Sequence, residues 1–137
     1  MEYLYKFTRA DLDRLTVDEM LAPAKIVSRP DANLVKAALY LQLGCLEECH
    51  KIAQQVPTPT GSYWHGIMHR HEGDISNSKY WYARVGRHPV LDAIGGYPPD
   101  AATEAREFEL LLKYTAQAAV KSISWLTKHG SEDRLTT

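Results

Sequence analysis

The residues of this sequence that are best suited to chemistry are concentrated between positions 61 and 90. This segment, GSYWHGIMHRHEGDISNSKYWYARVGRHPV, holds four of the six histidines and two of the three tryptophans. The formal net charge of the whole chain is −1, but the charged residues of this segment are mostly basic: Arg70, Lys79, Arg84 and Arg87 against Glu72 and Asp74. Such a density of polar and aromatic side chains is typical of a binding or catalytic site, or of a polar interior that fixes a fold.

Two histidines of the segment, His65 and His69, have the spacing of a metal-binding pair on a helix. Residues four apart lie one turn apart on the same face, so both imidazoles can reach one ion. Glu72 continues that face, but two turns of about 10.5 Å separate it from His65, and the three side chains cannot easily close on one ion. A divalent metal would therefore need a ligand from another part of the chain. The candidates are His88, Asp74 and Cys49.

The same histidine pair also has a structural interpretation, which the sequence favours over a metal site. Two hydrogen-bonded histidines wedged between helices need no ion. In a third interpretation the imidazoles act as general acid–base groups, oriented or assisted by Glu72 or Asp74, because neutral imidazole titrates near pH 7. Whether the protein is an enzyme is left open. His50 and His129 have the pattern of ordinary surface or helix-end histidines.

The basic residues of the segment indicate a pocket for a small anionic ligand. We expect these side chains to gather on one side of a helical hairpin: Arg70, Arg84, Arg87 and His88. A planar guanidinium binds a carboxylate or phosphate at two points, and Tyr80 and Trp81 would form a stacking wall beside it. In the alternative, Arg84 pairs with Glu72 or Asp74 and closes the hairpin internally.

Length and composition indicate one globular domain over residues 1–137. Apolar residues make up 45% and charged residues 24%, which excludes intrinsic disorder, and the near-neutral charge argues against a nucleic-acid binder. There is no run of about 18 apolar residues, so no membrane-spanning helix is expected, and the amino-terminal residues lack a signal-peptide pattern. Cys45 and Cys49, one helical turn apart, are interpreted as reduced thiols, and we expect a cytoplasmic location.

Helical periodicity dominates the sequence, and no alternating apolar run predicts a strand. We therefore expect an all-α fold of antiparallel helical hairpins, as repeats or as a bundle, closed by a long carboxy-terminal helix. The predicted apolar stripes and last helix cover 8–21, 34–41, 46–56, 63–71, 78–85 and 101–128. The expected amino-terminal caps are Thr16 with Glu19 in a capping box, Asp31, Ser76 and Asp100. The expected loops are 57–61 and 86–100.

The last helix carries two apolar stripes, of which Phe108 and Leu112 mark one and Leu110 and Tyr114 the other. A helix that faces solvent needs only one such stripe. Either neighbouring helices cover both, or a second copy of the chain covers one. A homodimer through 101–128 is therefore an expected alternative to burial within the monomer.

The two middle hairpins align with each other at an offset of 29 residues. The aligned pairs include Ala37 with Gly66, Gly44 with Gly73, Cys49 with Ser78 and Val56 with Val85. Over residues 31–90 this spacing resembles the tetratricopeptide repeat, whose small residues let two antiparallel helices approach and whose glycine makes the turn. The resemblance implies stacked helical hairpins. The family's period is about 34 residues, and its early large apolar residues are not in place here, so an ordinary bundle explains the alignment equally well.

A second resemblance covers residues 63–89. Its elements are His69-Arg70, Glu72-x-Asp74, Asn77-x-Lys79-Tyr80-Trp81, Arg84 and Gly86-x-His88-Pro89. The pattern resembles the signature of a small family of uncharacterised proteins with no assigned activity. It implies only that these residues work as a unit.

Two classes of function follow from the sequence. The favoured one is a helical module that binds a protein or its own copy and has a polar site. The candidate ligand-binding residues are His65, His69, Arg70, Glu72, Asp74, Tyr80, Trp81, Arg84 and His88. The alternative is an enzyme that acts on a small anionic substrate, with histidine as catalyst or with a divalent metal on His65 and His69.

Overall fold

A computed structural model describes residues 6–97 and 99–120, and these form an all-α fold. The helices are α1 (Arg9–Arg14), α2 (Val17–Leu21), α3 (Arg29–Gln42), α4 (Leu46–Ala53), α5 (Pro59–Glu72), α6 (Ile75–Val85), α7 (Pro89–Ala93) and α8 (Ala101–Ala119). Within the described ranges no strand forms, and an isolated antiparallel bridge pairs Ile26 with Val120. The predicted all-α class is confirmed. No helix in these ranges is both long enough and apolar enough to cross a bilayer.

Helix α5 is the centre of the fold. It packs against α6, α4 and α3, while α8 covers α3. Residues 60–69 are buried one after another, so every side of this helix contacts protein. Two turns reverse the chain around it, and each contains a glycine with positive φ, Gly44 at 79° and Gly73 at 88°. Glycine adopts this conformation without the steric cost that a Cβ would bring.

Helices α5 and α6 approach closely because residue 66 is glycine. A Cβ at this position would lie 2.7 Å from Cδ1 of Tyr82 and 3.4 Å from the backbone oxygen of Ser78. The hydroxyl of Ser78 donates to the carbonyl of Gly66 at 2.8 Å, which fixes the approach. As a result, Trp81 and Tyr82 are pressed against α5.

Two of the predicted helix starts are confirmed. Thr16 and Glu19 form the expected capping box, and Oδ1 of Asp100 accepts a hydrogen bond from the amide of Thr103 at 2.8 Å. A second capping box, formed by Thr8 and Asp11, was not predicted.

Two predicted caps are wrong. Helix α3 is capped by Ser28 and not by Asp31, since Pro30 stands in its first turn, where a fixed φ and a missing N–H are tolerated. Helix α6 is capped by Asp74 and not by Ser76, because the Asp74 carboxylate accepts from the amide of Asn77 at 3.1 Å.

The loops are shorter than predicted. Helix α5 already begins at Pro59, within the predicted loop 57–61, because the Thr58 hydroxyl accepts from the amide of Gly61 at 3.0 Å. The predicted loop 86–100 contains α7, which is capped by His88.

The last helix ends earlier than predicted. Its final residue is Ala119, and Val120 has an extended backbone at φ −125° and ψ 147°. The Ala119 carbonyl accepts instead from the amides of Val27 at 2.9 Å and Ser28 at 3.2 Å, which ties this end to the link before α3. The prediction of a helix running through Val120 is therefore wrong, and residues 121–128 lie outside the described part. The second apolar stripe of α8 is partly covered within the chain, since the Tyr114 ring lies 4.6 Å from that of His88.

Candidate functional site

Three histidines from two helices meet where α4 packs on α5. The ring centroids of His65 and His69, both on α5, lie 4.9 Å apart. The ring of His50, on α4, lies 4.6 Å from that of His65 and 5.4 Å from that of His69. Ligand atoms of the three residues all lie within 4.8 Å of one another. This histidine cluster can close on one ion through modest side-chain rotations, since zinc–nitrogen bonds are about 2.0–2.1 Å long.

The lone pairs of the histidine cluster are largely unused. Nδ1 of His69 lies 2.7 Å from Oε1 of Glu72. A carboxylate accepts, so Nδ1 carries the proton, and in the neutral imidazole Nε2 is the nitrogen with the lone pair. The ring hydrogen bonds of histidines in the described part are confined to His69 and His88. The ring nitrogens of His50 and His65 are therefore available to a ligand.

The surroundings of His65 keep its imidazole neutral. His65 is 3% exposed, and its ring stacks on the indole of Trp81 at 3.8 Å and 11°. Burial, and to a smaller extent the electrostatic influence of His50 and His69, lowers the pKa of His65 to about 4. At neutral pH a metal would not compete with a proton for this imidazole. The half-buried His50 leaves the cluster accessible from one side.

A second group of potential ligands is less suitable. His69, Glu72 and Asp74 also bring ligand atoms within 4.8 Å of one another. Both oxygens of Asp74 already accept from Asn77, one from its amide and one from Nδ2 at 2.8 Å, as the cap of α6. Glu72 is bound to His69 in the manner of a carboxylate that orients a metal-ligating imidazole. The two acidic residues therefore support the fold and His69, and the histidine cluster is the better ligand set.

None of the other proposed third ligands joins His65 and His69 in that cluster. Nδ1 of His88 accepts from the amide of Val90 at 3.2 Å, so Nε2 carries the proton and donates to the Thr60 hydroxyl at 3.1 Å. Burial lowers the pKa of His88 to about 4, and this histidine is a neutral helix cap. Burial raises the pKa of the Cys49 thiol to about 12, which disfavours the thiolate that a metal requires, and Cys49 does not join the ligand atoms of the histidine cluster.

The third member of the cluster is His50, which the sequence pattern treats as an ordinary surface histidine. The spacing of apolar residues in the sequence could have indicated that His50 faces the core. His50 is four residues after Leu46 and three before Ala53, so it shares the helical face that these residues turn towards the core.

Arg70 is bound by residues of the chain itself. Its Nη2 donates to Oε1 of Glu107 at 2.6 Å, and the hydroxyls of Tyr63 and Tyr82 donate to Oε2 at 2.8 and 2.9 Å. Glu107 is 0% exposed. These four residues form the Arg70–Glu107 cluster, which joins α5, α6 and α8. The sequence pattern missed Glu107, although it lies four residues before the apolar Leu111 on one face of α8.

The other basic residues do not gather as expected. The Arg84 guanidinium carbon lies 5.5 Å from the ring of Trp81 and 5.6 Å from that of Tyr80, which is the expected stacking wall. Arg84 does not pair with Glu72 or Asp74. The side chain of Arg87 is 94% exposed and points to Asp92 at 3.5 Å.

Comparison of the chain with family models, with curated proteins and with solved structures found no match.

Proposed function

We propose that this protein binds a divalent transition metal, with His50, His65 and His69 as ligands. The main observation is that three imidazoles from two helices bring ligand atoms within 4.8 Å of one another. Imidazole nitrogen suits Zn²⁺, Cu²⁺ and Ni²⁺, and a set of three histidines leaves a fourth position on zinc for water or a substrate.

Two features of the surroundings support this proposal over a purely structural histidine cluster. Glu72 holds His69 through Nδ1, which directs Nε2 away from the carboxylate and raises its basicity. Histidines that only support a fold normally have their ring nitrogens hydrogen-bonded, as His88 does on both sides. His50 and His65 have no such bonds, and a metal would give their lone pairs a partner.

Calorimetric titration of the metal-free full chain with zinc chloride tests the proposal. We expect one Zn²⁺ per chain. His50→Ala removes a ligand and should lower the affinity by more than the 10- to 100-fold that is typical for loss of an orienting group, and Glu72→Gln should lower it within about that range. His71→Ala is the matched control, because His71 is an exposed histidine of the same helix outside the cluster. Circular dichroism verifies that each variant is folded.

Two results would contradict the proposal. One is the absence of stoichiometric zinc binding to folded, metal-free protein. The other is a His71→Ala variant that loses as much affinity as His50→Ala, which would show dispersed binding to surface histidines.

A second candidate function is the protein-binding or self-association module that the sequence favours. A cavity of about 580 Å³ supports it, with apolar walls that include Val17, Ile52 and Val56 and with polar side chains at Lys36 and Glu48. Light scattering of the full chain over a range of concentrations tests self-association. A dimer would support it, and a monomer throughout would remove the homodimer. Three further expectations stay predictions: the resemblance to tetratricopeptide repeats, the cytoplasmic location and catalysis on an anionic substrate.

A further inference from the structure

We infer that the chain has a second site, beyond the proposed metal site: a pocket for a small organic carboxylate centred on Arg84. A cavity of about 360 Å³ lies where α4 ends, α5 begins and α6 ends. Val56 and Pro59 are among its apolar walls, and Ser62, Trp81 and Arg84 also line it. We call this cavity the Arg84 pocket.

The guanidinium of Arg84 is positioned but not neutralised. Its carbon lies 5.5 Å from the Trp81 ring and 5.6 Å from the Tyr80 ring, and Nη1 lies 3.4 Å from the Tyr80 hydroxyl. Across residues 6–97 and 99–120, the ion pairs do not include Arg84. Arg84 is exposed, and its cation–π contacts with the two rings keep the guanidinium beside the pocket. Such a group binds a carboxylate through two parallel hydrogen bonds.

Ser62 places a second polar group on the wall of the pocket. The residue is 8% exposed, and no hydrogen bond fixes its hydroxyl within the described residues. The hydroxyl is open to the pocket, because the buried side-chain atoms without a partner in these residues are confined to Nε of Arg70. A ligand oxygen in the pocket would provide an acceptor for this hydroxyl, on the wall formed by α5.

Charge distinguishes the Arg84 pocket from two other cavities of the molecule. The cavity of about 580 Å³ balances Lys36 and Lys51 with Glu48, and one of about 600 Å³ is lined by Glu104 and Glu109. In the Arg84 pocket the only charged lining residue is the arginine. A single positive charge matches a carboxylate monoanion, whereas a phosphate dianion would require a second cation.

The size and walls of the pocket define the rest of the ligand. Its volume is near the lower end of the roughly 300–1,000 Å³ that is usual for ligand pockets. Valine and proline side chains offer contact to a hydrocarbon group beside the carboxylate. A ligand of about the size of benzoate fits these features.

The Arg84 pocket adjoins the histidine cluster. Ser62 precedes His65 by three residues, which is about 4.5 Å along the helix axis. Trp81 stacks on His65 and also lines the pocket, so the two sites share this wall. The Arg84 pocket forms without a bound metal, and the two proposals can fail separately.

Titration of the full chain with sodium benzoate tests this inference, after passage over a chelating resin that removes metal. Two-dimensional ¹H–¹⁵N NMR follows the Nε–H signals of the arginines and the amide signals of Ser62 and Trp81. We expect saturable shifts at Ser62, Trp81 and Arg84, and no saturable shifts with benzamide, which is the neutral analogue of benzoate. Arg84→Gln should weaken benzoate binding about tenfold or more, because it removes charge-assisted hydrogen bonds. Ser62→Ala should weaken it by a smaller factor, because it removes a neutral hydrogen bond.

Arg87→Gln is the matched control, since it removes the same charge from a side chain that lies outside the pocket and should change benzoate affinity less than about twofold. The inference is overturned if benzamide binds as tightly as benzoate, if Arg84→Gln binds benzoate normally, or if no shift saturates. Tighter binding of inorganic phosphate than of benzoate overturns the assigned ligand class. Intact benzoate binding in a chain that fails to bind zinc would contradict the metal proposal alone.

Discussion

Two polar clusters lie on different sides of α5, and they differ in how their polar atoms are satisfied. In the Arg70–Glu107 cluster both carboxylate oxygens accept hydrogen bonds, from one guanidinium and two tyrosine hydroxyls. In the histidine cluster the rings of His50 and His65 have no hydrogen bond to the described residues, and one bond fixes His69. The Glu107 carboxylate is fully used within the chain, although Nε of Arg70 is buried without a hydrogen-bond partner, whereas the His50 and His65 rings keep unused lone pairs that a ligand can take.

The protonation of the two clusters follows the same division. Burial raises the pKa of Tyr63 and of Tyr82, and the negative charge of Glu107 raises each further, so both hydroxyls stay donors. Burial lowers the pKa of His65 to about 4, so its imidazole stays an acceptor. The first arrangement closes on itself, and the second offers electron pairs to a cation.

The largest expected effect comes from breaking the Arg70–Glu107 cluster. Glu107→Ala leaves the Arg70 charge and two tyrosine hydroxyls buried without their acceptor. Removing one partner of a buried ion pair costs about 3 to 5 kcal/mol. The free energy of unfolding in urea measures this loss.

Glu104→Ala is the matched control, because Glu104 is half-buried at 3.8 Å from Nε of Arg70 and forms no hydrogen bond with it. It should cost less than about 1 kcal/mol. A Glu107→Ala variant that is as stable as Glu104→Ala would show that the two clusters do not differ in structural importance.

The next effect is a loss of stability in acid. The folded-state pKa of His65 and of His88 is about 4, below the usual value of 6.5. Between these values the unfolded chain binds more protons, so stability is complete above pH 6.5 and falls as the pH drops towards 4. We expect each histidine to reduce the free energy of unfolding by about 2 kcal/mol between pH 7 and pH 5.

Urea unfolding at several pH values measures this loss, and His65→Gln should reduce it by about half. An equal loss in His65→Gln and in the unmodified chain would mean that His65 is protonated without cost. His65 would then no longer be a neutral ligand at pH 5.

A smaller effect concerns the contact that both clusters share. Gly66→Ala places a methyl group 2.7 Å from the Tyr82 ring, which must move together with α6. Overpacking of this kind costs about 1 to 3 kcal/mol, against a gain of about 1 kcal/mol for alanine over glycine in an unobstructed helix. We therefore expect a lower free energy of unfolding in urea for Gly66→Ala and weaker stacking of Trp81 on His65. Ser76→Ala on the exposed face of α6 is the control, and a Gly66→Ala chain of higher stability would show that the close approach is not required.

The smallest effect on stability is expected in the histidine cluster. In metal-free protein His50→Ala should cost less than about 1 kcal/mol, since this half-buried ring has no hydrogen bond to lose. With zinc at about 100 times its dissociation constant, the unmodified chain should gain about 2.7 kcal/mol and His50→Ala little. Thermal unfolding with and without zinc measures both values. A large loss in the absence of metal would make His50 a structural residue and remove the contrast with Glu107.

Several parts of the fold could be predicted from local patterns. The capping box at Thr16, the cap at Asp100 and the turn glycines Gly44 and Gly73 depend on hydrogen bonds and backbone angles within a few residues. The end of α8 could not, because the Ala119 carbonyl is bound by amides from residues 27 and 28, which are distant in sequence. The i, i+4 relation of His65 and His69 is also local, and it was predicted.

The sequence by itself determined that the chain is helical and that one helix places two histidines on the same face. Helical periodicity and capping are short-range, so residues a few positions apart suffice to specify them. Only the tertiary structure decided that His50 completes the pair, that Arg70 is taken up by Glu107, and that Arg84 remains without an acidic partner. These outcomes depend on how α4, α6 and α8 pack around α5, and periodicity shows which face of a helix is buried but not which residues of another helix it meets.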